Sequence, residues 1–432
     1  MNIDAGLILL TLGLLGGYFL VLTLMQILLQ ALSYLRFQRQ NKAKPQVIPS
    51  LTLIIPARNE AEVVVEAINR ALQIPLDAFE VLVIENASTD KTFHLLSEMF
   101  QLRVNGEPHV FRSVLFPKLK ILRSSQPGKT NALNLGLAHV TTEIVATLDA
   151  DTLPQNEGLL SLLSMFAVRP ELQAIGGVVR VMSKNTKTAM PKGFLPSLQS
   201  LEYLRAFSGE RLGWGLLKAN IYMAGACALF RTHSLKERGG FQGDSVTEDL
   251  ETSLDLVKYY SQQSHPIEIL PILVAQTQVP HSLGSLLRQR RRWQAGLWQC
   301  LWKYRTLFLT GRGLVGTLTL PYMLLTEALG PIFEFLAIAT LAHALYYNLI
   351  ELEPVLLITS LGLVLSAILV SWTAIVENRF LKKNEKWPVL TVFFLSFILN
   401  LIVRPIINLV RVDASLRFPW IKNWGKVRRG ML

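Results

Sequence analysis

The chain has 432 residues, of which 50% are hydrophobic and 17% are charged, a composition that argues against a purely soluble protein. Its formal net charge is +12, but no known nucleic-acid recognition motif accompanies the basic residues, so nucleic acid is not an expected partner. Cys227 and Cys300 are far apart and are its only cysteines, which excludes a disulfide framework and a cysteine-rich zinc site. Any metal must therefore use oxygen ligands or histidine.

The first apolar run extends from about Ala5 to Leu35 and ends in basic residues. It is too long for a cleaved signal peptide, and no small-residue cleavage site follows it. Lys and Arg concentrate on the cytoplasmic side of membrane spans, where they also meet anionic lipids. We therefore expect residues 1–44 to be a membrane anchor and basic linker, with the next domain in the cytoplasm. The basic residues concerned are Arg36, Arg39, Lys42 and Lys44.

Residues 45–305 have the pattern of an α/β domain, in which short apolar strands alternate with amphipathic helices. The predicted strands are 51–55, 81–84 and 144–148. Each is followed by a polar loop, and these loops carry Arg58-Asn59-Glu60, Glu85-Asn86 and Asp149-Ala150-Asp151. The alternation predicts a mostly parallel sheet, whose ligands bind at the carboxyl ends of the strands. The loops contain neither G-x-G-x-x-G nor G-x-x-x-x-G-K-[ST], which argues against a dinucleotide-binding Rossmann domain and a P-loop NTPase.

Asp149 and Asp151 flank Ala150 directly after a predicted buried strand. Carboxylates at i and i+2 beyond a strand end can share one hard cation, and Mg²⁺ or Mn²⁺ prefers such oxygen ligands while it bridges phosphates. The alternative is a solvated turn, because Asp is common after strands. The triplet alone does not decide between a metal site and a turn.

Apolar runs return in the predicted membrane region, residues 306–432. They cover about 314–350, 355–376 and 388–410. The first is one tilted span or two spans broken near Gly330-Pro331, and the charges of the flanking loops favour one span. The last either crosses the membrane or is interfacial or re-entrant, as Arg404 and Arg411 suggest. Glu327 and Glu334 lie in an apolar stretch, where they line a polar route for product or a lipid acceptor, or serve packing alone.

Five motifs follow one another in order: IPARNE at 55–60, GKTNALNLG at 128–136, Asp149-Ala150-Asp151, VTEDLETS at 246–253 and QRRRW at 289–293. Together they resemble processive family 2 glycosyltransferases, the group that contains cellulose, hyaluronan and poly-N-acetylglucosamine synthases. The resemblance runs from about residue 50 to the end of the chain, including TEALGPIFE and the terminal WGKVRR. It implies a GT-A fold (nucleotide-diphospho-sugar transferase, Rossmann-like) for a cytoplasmic domain flanked by transmembrane helices.

The resemblance also implies roles for residues of the donor site. Asp149 and Asp151 would hold Mg²⁺ or Mn²⁺, with Asp149 also contacting the nucleotide-sugar, and Arg58 and Glu60 would line the nucleotide pocket. Glu85 would contact the uracil base, although ENAS differs from the family's VDDGSTD-like motif in both acids. Lys129 begins a helix beside the expected pyrophosphate position, where a cation and backbone N–H groups favour negative charge.

Asp249 matches the family's catalytic base, which takes the proton of the acceptor hydroxyl during inverting transfer. Glu248 is the competing base, and the two acids could instead cap a helix N-terminus. Gln289, Arg290, Arg292 and Trp293 fit the Q-x-x-R-W pattern, in which an arginine can clamp the diphosphate and the tryptophan can stack on a sugar. The alternative for this segment is a juxtamembrane basic belt with an aromatic anchor.

The expected function is therefore inverting transfer of a hexosyl unit from UDP-glucose or UDP-N-acetylglucosamine to a growing polysaccharide at the inner membrane. The alternative is a single transfer to a membrane lipid. Accessory secretion subunits are conceivable partners, while the acceptor-side motifs argue against a transporter or a sensor without catalysis. No rule known to us converts the sequence near the acceptor into the identity of the sugar.

Overall fold

The computed structural model describes residues 3–39, 48–183, 188–260, 265–310 and 313–421, which form two compact units. The helical unit comprises the described residues of Met1–Gln38, Ser183–Leu216 and Ser282–Val427. The sheet unit comprises those of Arg39–Met182 and Leu217–His281. The segments of the two units alternate along the chain, whereas the sequence predicts three consecutive domains. The predicted domain boundaries, at 44/45 and 305/306, stay a prediction. Lys42, Lys44 and the terminal WGKVRR motif lie outside the described residues.

Helices are spread through both units. In chain order they are α1 (Ile3–Gln38), α2 (Val64–Leu72), α3 (Thr92–Met99), α4 (Lys129–Ala138), α5 (Asn156–Val168), α6 (Phe194–Tyr203), α7 (Leu212–Leu216), α8 (Thr232–Glu237), α9 (Glu248–Tyr260), α10 (Leu283–Lys303), α11 (Leu320–Met323), α12 (Gly330–Tyr346), α13 (Leu352–Asn378), α14 (Val389–Ile398) and α15 (Arg404–Arg417). The described part of the helical unit has four π-helical segments, at Leu204–Arg211, Val315–Thr319, Leu324–Ala328 and Leu399–Val403.

The described strands of the sheet unit form one sheet. They are β1 (Leu51–Ala57), β2 (Phe79–Asn86), β3 (Leu102–Asn105), β4 (Glu107–Ser113), β5 (Leu119–Ser124), β6 (Ile144–Leu148), β7 (Thr152–Pro154), β8 (Ala174–Val181), β9 (Cys227–Arg231) and β10 (Ile267–Thr277). Their spatial order is β3-β4-β5-β2-β1-β6-β9-β8-β10-β7. The three strands predicted from apolar runs are confirmed as β1, β2 and β6.

The sheet is mixed, so the expectation of a mostly parallel sheet is wrong. β5, β2, β1 and β6 run parallel, as the strand–helix alternation predicts. β9 runs antiparallel to both of its neighbours, β6 and β8. Between β8 and β9 the chain passes through residues of the helical unit rather than through a simple crossover helix, so local alternation does not set the direction of β9.

The parallel strands bring the polar loops to one edge. β1 is almost completely buried, as a central strand with neighbours on both sides should be. Its register with β2 places Ala57 opposite Glu85, and its register with β6 places Ile54 opposite Thr147. The loops after these three strands therefore begin close together, as the sequence predicts.

Among its described residues, the helical unit contains three helices that are long and apolar enough to cross a membrane. They are Ala5–Gln38, Leu352–Asn378 and Val389–Trp420. A further pair, Val315–Ala328 and Gly330–Tyr346, is bent by 48° and raises the count to four if it forms one span. The bend lies at the Gly330-Pro331 break noted in the sequence. By length and composition, these helices identify a membrane protein.

Both acids in the apolar stretch of the helical unit have arginine partners. Glu327 pairs with Arg411 at 3.2 Å, and Glu334 pairs with Arg404. Arg411 also donates to the side-chain oxygen of Gln294 at 2.8 Å. Charged groups inside apolar helices are costly unless they are paired, so these contacts support a packing role for the two acids.

Candidate active site

The loop that follows β1 is joined to the loop that follows β2 by Asn59. Its backbone has φ of 58°, a left-handed conformation that Asn adopts more readily than most residues. Its Oδ1 accepts the backbone N–H of Thr89 at 2.7 Å, and its own N–H donates to Ser88 Oγ at 3.1 Å. These bonds hold Arg58 and Glu60, the two predicted nucleotide-pocket residues on either side of Asn59, beside the second loop.

Glu85 is buried, with an exposed fraction of 2%. One carboxylate oxygen accepts the Ser88 N–H at 2.7 Å, and the other accepts Arg123 Nε at 3.2 Å. The carboxylate predicted to contact the base is thus engaged by its own loop and by β5, and the base contact itself stays a prediction. The next residue, Asn86, donates from Nδ2 to the Gly128 carbonyl at 2.9 Å and so joins this loop to the start of α4.

Lys129 joins three elements of the sheet unit. Its Nζ lies 2.6 Å from Asp149 Oδ1 in the loop after β6, and 2.7 Å from Glu248 Oε1 at the start of α9. Burial by itself would lower the pKa of Lys129, but the charges of Asp149 and Glu248 outweigh burial and raise the pKa above its ordinary value. The ammonium is therefore protonated at neutral pH, and Glu248, the competing base, is engaged in an ion pair.

Asp249 and Asp149 are connected through the segment before β9. Asp249 Oδ2 accepts the Gly225 N–H at 3.1 Å, and the Asp149 N–H donates to the Ala226 carbonyl at 3.1 Å. The following residue, Cys227, is fully buried, and burial, together with the charge of Asp149, raises its pKa to about 12. Its thiol therefore stays protonated at neutral pH.

Asp151 is also buried, with an exposed fraction of 3%. Its carbonyl accepts the Gln278 N–H at 3.2 Å, directly after β10. Gln278 is buried too, and within the described part of the chain neither its amide oxygen nor its amide nitrogen has a hydrogen-bond partner. Buried amide groups without partners are rare in folded proteins and are often completed by water, an ion or a ligand.

The oxygen ligands at this edge of the sheet suit a hard divalent cation, but only a cation whose other ligands come from outside the protein. Asp149 and Asp151 offer carboxylate oxygens, which Mg²⁺ and Mn²⁺ prefer. Across the described ranges, no three His, Cys, Asp or Glu side chains are grouped closely enough to hold an ion by themselves. Mg²⁺ is commonly held by one or two carboxylates together with water and substrate phosphates, so this set suits an ion that arrives with a diphosphate.

α4 is also clamped to the loop that precedes α9. Asn134 donates from Nδ2 to the Phe241 carbonyl at 3.0 Å and accepts the Phe241 N–H at 2.8 Å. Gly240 has φ of 96°, and a Cβ there would lie 2.3 Å from Asn134 Oδ1. The two Asn134–Phe241 hydrogen bonds, which we call the Asn134 clamp, therefore hold the Lys129 and Glu248 motifs together in addition to the ion pair.

Sequence reasoning missed Asn134 and Gln278 as parts of this site. A signal was present for Asn134, because it is a polar residue within the apolar-periodic helix that GKTNALNLG predicts. For Gln278 the local sequence carried no comparable signal, since its contact with Asp151 depends on the neighbouring positions of β7 and β10.

The four residues of the Q-x-x-R-W pattern belong to the helical unit. They are Gln289, Arg290, Arg292 and Trp293, on α10. Arg290 pairs with Glu202, donates to the amide oxygen of Gln289 at 2.8 Å and stacks over Trp293 at 4.3 Å. Arg290 therefore already has partners within its own unit, and the predicted clamp on the diphosphate stays a prediction.

The sequence was compared with families and proteins of known function. Residues 52–239 match the family described as Glycosyl transferase family 2. A poly-beta-1,6-N-acetyl-D-glucosamine synthase from Staphylococcus epidermidis is 27% identical over 255 residues, which cover 59% of this chain and 56% of that protein. One from Staphylococcus aureus strain COL is 25% identical over 249 residues, which cover 58% of this chain and 55% of that protein. The chain therefore spans about half the length of these relatives.

The structure was compared with solved structures. A mannosyltransferase from Pyrobaculum calidifontis, solved in complex with GDP-Man and Mn²⁺, matches with a TM-score of 0.59 and 22% sequence identity. The match covers 95% of this chain and 100% of that chain. At this level of identity the likeness concerns the fold alone.

Proposed function

We propose that this chain is a membrane glycosyltransferase that extends a polysaccharide from a nucleotide-diphospho-sugar, because residues 52–239 match the family described as Glycosyl transferase family 2. The family match confirms the resemblance predicted from the motifs, and the fold comparison confirms the predicted GT-A fold. The similarity to poly-beta-1,6-N-acetyl-D-glucosamine synthases supports a polysaccharide product. The proposed donor is UDP-glucose or UDP-N-acetylglucosamine.

The observation that carries this proposal is the contact set around Lys129. Lys129 joins Asp149, from the loop after β6, to Glu248 at the start of α9. The neighbouring Asp249 accepts a hydrogen bond from the Gly225 N–H. A carboxylate pair for a diphosphate-bound cation and a separate carboxylate for proton transfer are the parts that inverting sugar transfer needs. If Asp149 only belonged to a solvated turn, its side chain would not need to share a lysine with Glu248.

In the proposed mechanism, Asp249 accepts the proton of an acceptor hydroxyl as that oxygen forms a bond to the anomeric carbon. The bond from this carbon to the diphosphate breaks, and its electron pair leaves with the nucleoside diphosphate. Attack opposite the leaving group inverts the configuration, so no covalent sugar intermediate is needed. The Gly225 N–H orients Asp249, and Lys129 places positive charge beside the departing group.

Mg²⁺ or Mn²⁺, which we propose Asp149 and Asp151 hold, would stabilise the charge of the departing diphosphate. The position of these two carboxylates directly after the buried strand β6 supports the assignment, because Mg²⁺ is commonly held by one or two carboxylates together with substrate phosphates. Arg58, Glu60 and Glu85 are the proposed nucleotide contacts, and Gln289, Arg290, Arg292 and Trp293 are proposed to act on the donor from α10.

We place the protein in the inner membrane with the sheet unit in the cytoplasm. Basic residues support this orientation, because Arg36 and Arg39 follow the apolar part of α1 and further basic residues follow α13. The latter are Arg379, Lys382, Lys383 and Lys386.

The test is to incubate purified full-length protein, reconstituted in lipid, with Mn²⁺ and radiolabelled UDP-glucose, UDP-N-acetylglucosamine or GDP-mannose. GDP-mannose is included because the similar mannosyltransferase was solved with GDP-Man. We expect a size-heterogeneous, glycosidase-sensitive polymer from one of the UDP-sugars. A single chloroform-soluble product would replace the polymer proposal with transfer to a lipid, and product from GDP-mannose alone would overturn the donor.

The variant Asp249→Asn tests whether the protein catalyses sugar transfer at this site or is a transporter or sensor without catalysis. Removing a general base should lower kcat by roughly 100-fold or more while donor binding persists. Asp244→Asn is the matched control, because Asp244 is an exposed acid in the loop that precedes α9. Unchanged product formation by the Asp249 variant would rule out this residue as the base.

A further inference from the structure

The ammonium of Lys129 stands where the donor site needs positive charge. It is 2.6 Å from Asp149 Oδ1 and 2.7 Å from Glu248 Oε1, and its side chain is only 14% exposed. Glu248 is more deeply buried, with its side chain 5% exposed. Two carboxylates held this close in a buried site repel each other unless a cation lies between them, and Lys129 supplies that cation from within the chain.

A divalent ion bound to Asp149 would compete with this ammonium. Mg²⁺ binds carboxylate oxygens at about 2.0–2.1 Å, so an ion at Asp149 would lie within a few ångströms of a cation that already contacts the same carboxylate. Like charges at such separations repel, and burial reduces the screening by water. The ion and the ammonium therefore cannot both keep their best contacts with Asp149.

Lys129 has another anionic group to move to once a donor is present. It is the first residue of α4, directly after Gly128, and its long side chain can turn without moving the helix backbone. The ammonium and the N–H groups at the N-terminus of a helix both favour phosphate. If the ion takes Asp149, the ammonium can pair with the diphosphate that arrives with the ion, so neither cation is left unpaired.

We propose that Lys129 is the cation of the donor site before the donor binds, and that the divalent ion and the nucleotide diphosphate displace it together. The identity of the displacing ligand rests on the proposed function, whereas the competition between ammonium and ion does not. Two consequences follow. The protein without nucleotide binds the ion weakly because Lys129 occupies Asp149, one of the two proposed ligands of the ion, and nucleotide strengthens ion binding because it gives Lys129 a new partner.

The experiment measures Mn²⁺ binding to the detergent-purified full chain by electron paramagnetic resonance of the free ion. It compares the wild type with Lys129→Met, first without nucleotide and then with UDP or GDP. Without nucleotide, Lys129→Met should bind Mn²⁺ roughly tenfold more tightly or better, because a competing like charge has been removed. Nucleotide should tighten Mn²⁺ binding by the wild type and should do so less in the variant.

Two controls keep the outcome specific to this lysine. Lys129→Arg retains the positive charge and should bind Mn²⁺ no more tightly than the wild type. Lys118→Met removes an exposed lysine of the same unit, whose ammonium bonds to the Leu76 carbonyl, and should leave Mn²⁺ binding unchanged. If Lys129→Met binds Mn²⁺ no more tightly than the wild type, Lys129 is not a competitor of the ion and the inference is wrong.

Loss of Lys129 could also unfold the site, because it leaves Glu248 buried without its ammonium partner. The double variant Lys129→Met, Glu248→Gln avoids this by removing one charge of each sign. It should still bind Mn²⁺ more tightly than Glu248→Gln alone, and equal affinity would contradict the inference. These binding measurements use no sugar donor, so their outcome does not depend on product formation. If Lys129 competes with Mn²⁺ but the protein transfers no sugar, the proposed function alone is refuted. If the protein transfers sugar but Lys129 does not compete with Mn²⁺, this inference alone is refuted.

Discussion

Asp249 and Gly225 are in direct contact. The carboxylate oxygen Oδ2 of Asp249 accepts the Gly225 N–H at 3.1 Å, and a Cβ at position 225 would lie 2.8 Å from that same oxygen. Only a residue without a side chain lets the backbone N–H approach the carboxylate this closely. The position of the proposed base therefore depends on a glycine in another part of the chain.

Gly225→Ala should consequently impair catalysis without unfolding the protein. The new methyl group would push the Asp249 carboxylate away from its hydrogen bond, and a shift of about 1 Å in a reacting group can cost up to roughly 100-fold in rate. We expect a fall in kcat of roughly 10- to 100-fold, measured as initial rates of sugar transfer. Gly16→Ala is the control, because a Cβ there would meet nothing within 4 Å. Equal rates for both variants would exclude the steric argument.

Asn134→Ala should destabilise the sheet unit. It removes both hydrogen bonds to the Phe241 backbone, whose N–H and carbonyl lose partners that water would have to replace. A loss of about 2 kcal/mol is expected, visible as a lower thermal midpoint in detergent. Asn131→Ala, on the same helix, removes one exposed bond to the Pro127 carbonyl and should change the midpoint much less. A similar shift in the two variants would argue against the clamp.

His265 should make the sheet unit sensitive to acid. Burial lowers its pKa from the ordinary 6.5 to about 4, so the unfolded chain takes up a proton at a higher pH than the folded protein does. Stability is therefore complete above pH 6.5 and is lost as the pH falls towards 4, by about 3 kcal/mol at 1.36 kcal/mol for each pKa unit.

His265→Gln should remove this part of the pH dependence. The measurement is the thermal midpoint at pH 7.5 and at pH 5, where the wild type should lose more stability than the variant. His94→Gln serves as the control, because the His94 side chain is 81% exposed. Identical pH dependence in the wild type and the His265 variant would show that other groups cause the acid loss.

Arg411→Leu should destabilise the helical unit. The substitution removes the side-chain partner of Glu327, at 3.2 Å, and that of Gln294, at 2.8 Å. The Arg411 side chain is 19% exposed and that of Glu327 is 40% exposed, so the loss should be smaller than the roughly 3–5 kcal/mol typical of a fully buried ion pair. It should appear as a lower yield and a lower thermal midpoint. Arg417→Leu is the control, because that arginine is 66% exposed and pairs with Asp413 at the surface. Equal thermal midpoints for the Arg411 and Arg417 variants would mean that the stability of the helical unit does not depend on the pair of Arg411 with Glu327.

Several features of this protein could be predicted from local sequence. The apolar runs predict β1, β2 and β6, because a buried strand needs consecutive apolar residues and ends where polar residues begin. The long apolar helices are equally visible, because their length and hydropathy are local properties. The positions of Asp149 and Asp151 at a strand end, and the family resemblance, likewise follow from residues that are adjacent in the sequence.

Contacts between distant residues were decided by tertiary structure alone. The antiparallel direction of β9 places Gly225 and Ala226 beside Asp149 and Asp249, and no local pattern specifies that direction. The pairing of Glu85 with Arg123 likewise depends on the neighbouring positions of β2 and β5. Periodicity reports which face of an element is buried, but not which element lies against it.

The sequence by itself therefore determined the α/β character of the catalytic region, its membrane helices and the acids of its motifs. Only the folded chain decided that the ammonium of Lys129 lies between Asp149 and Glu248, and that Glu248 rather than Asp249 is its partner. The physical reason is that ion pairs between separate motifs depend on strand order and helix placement, which long-range packing sets.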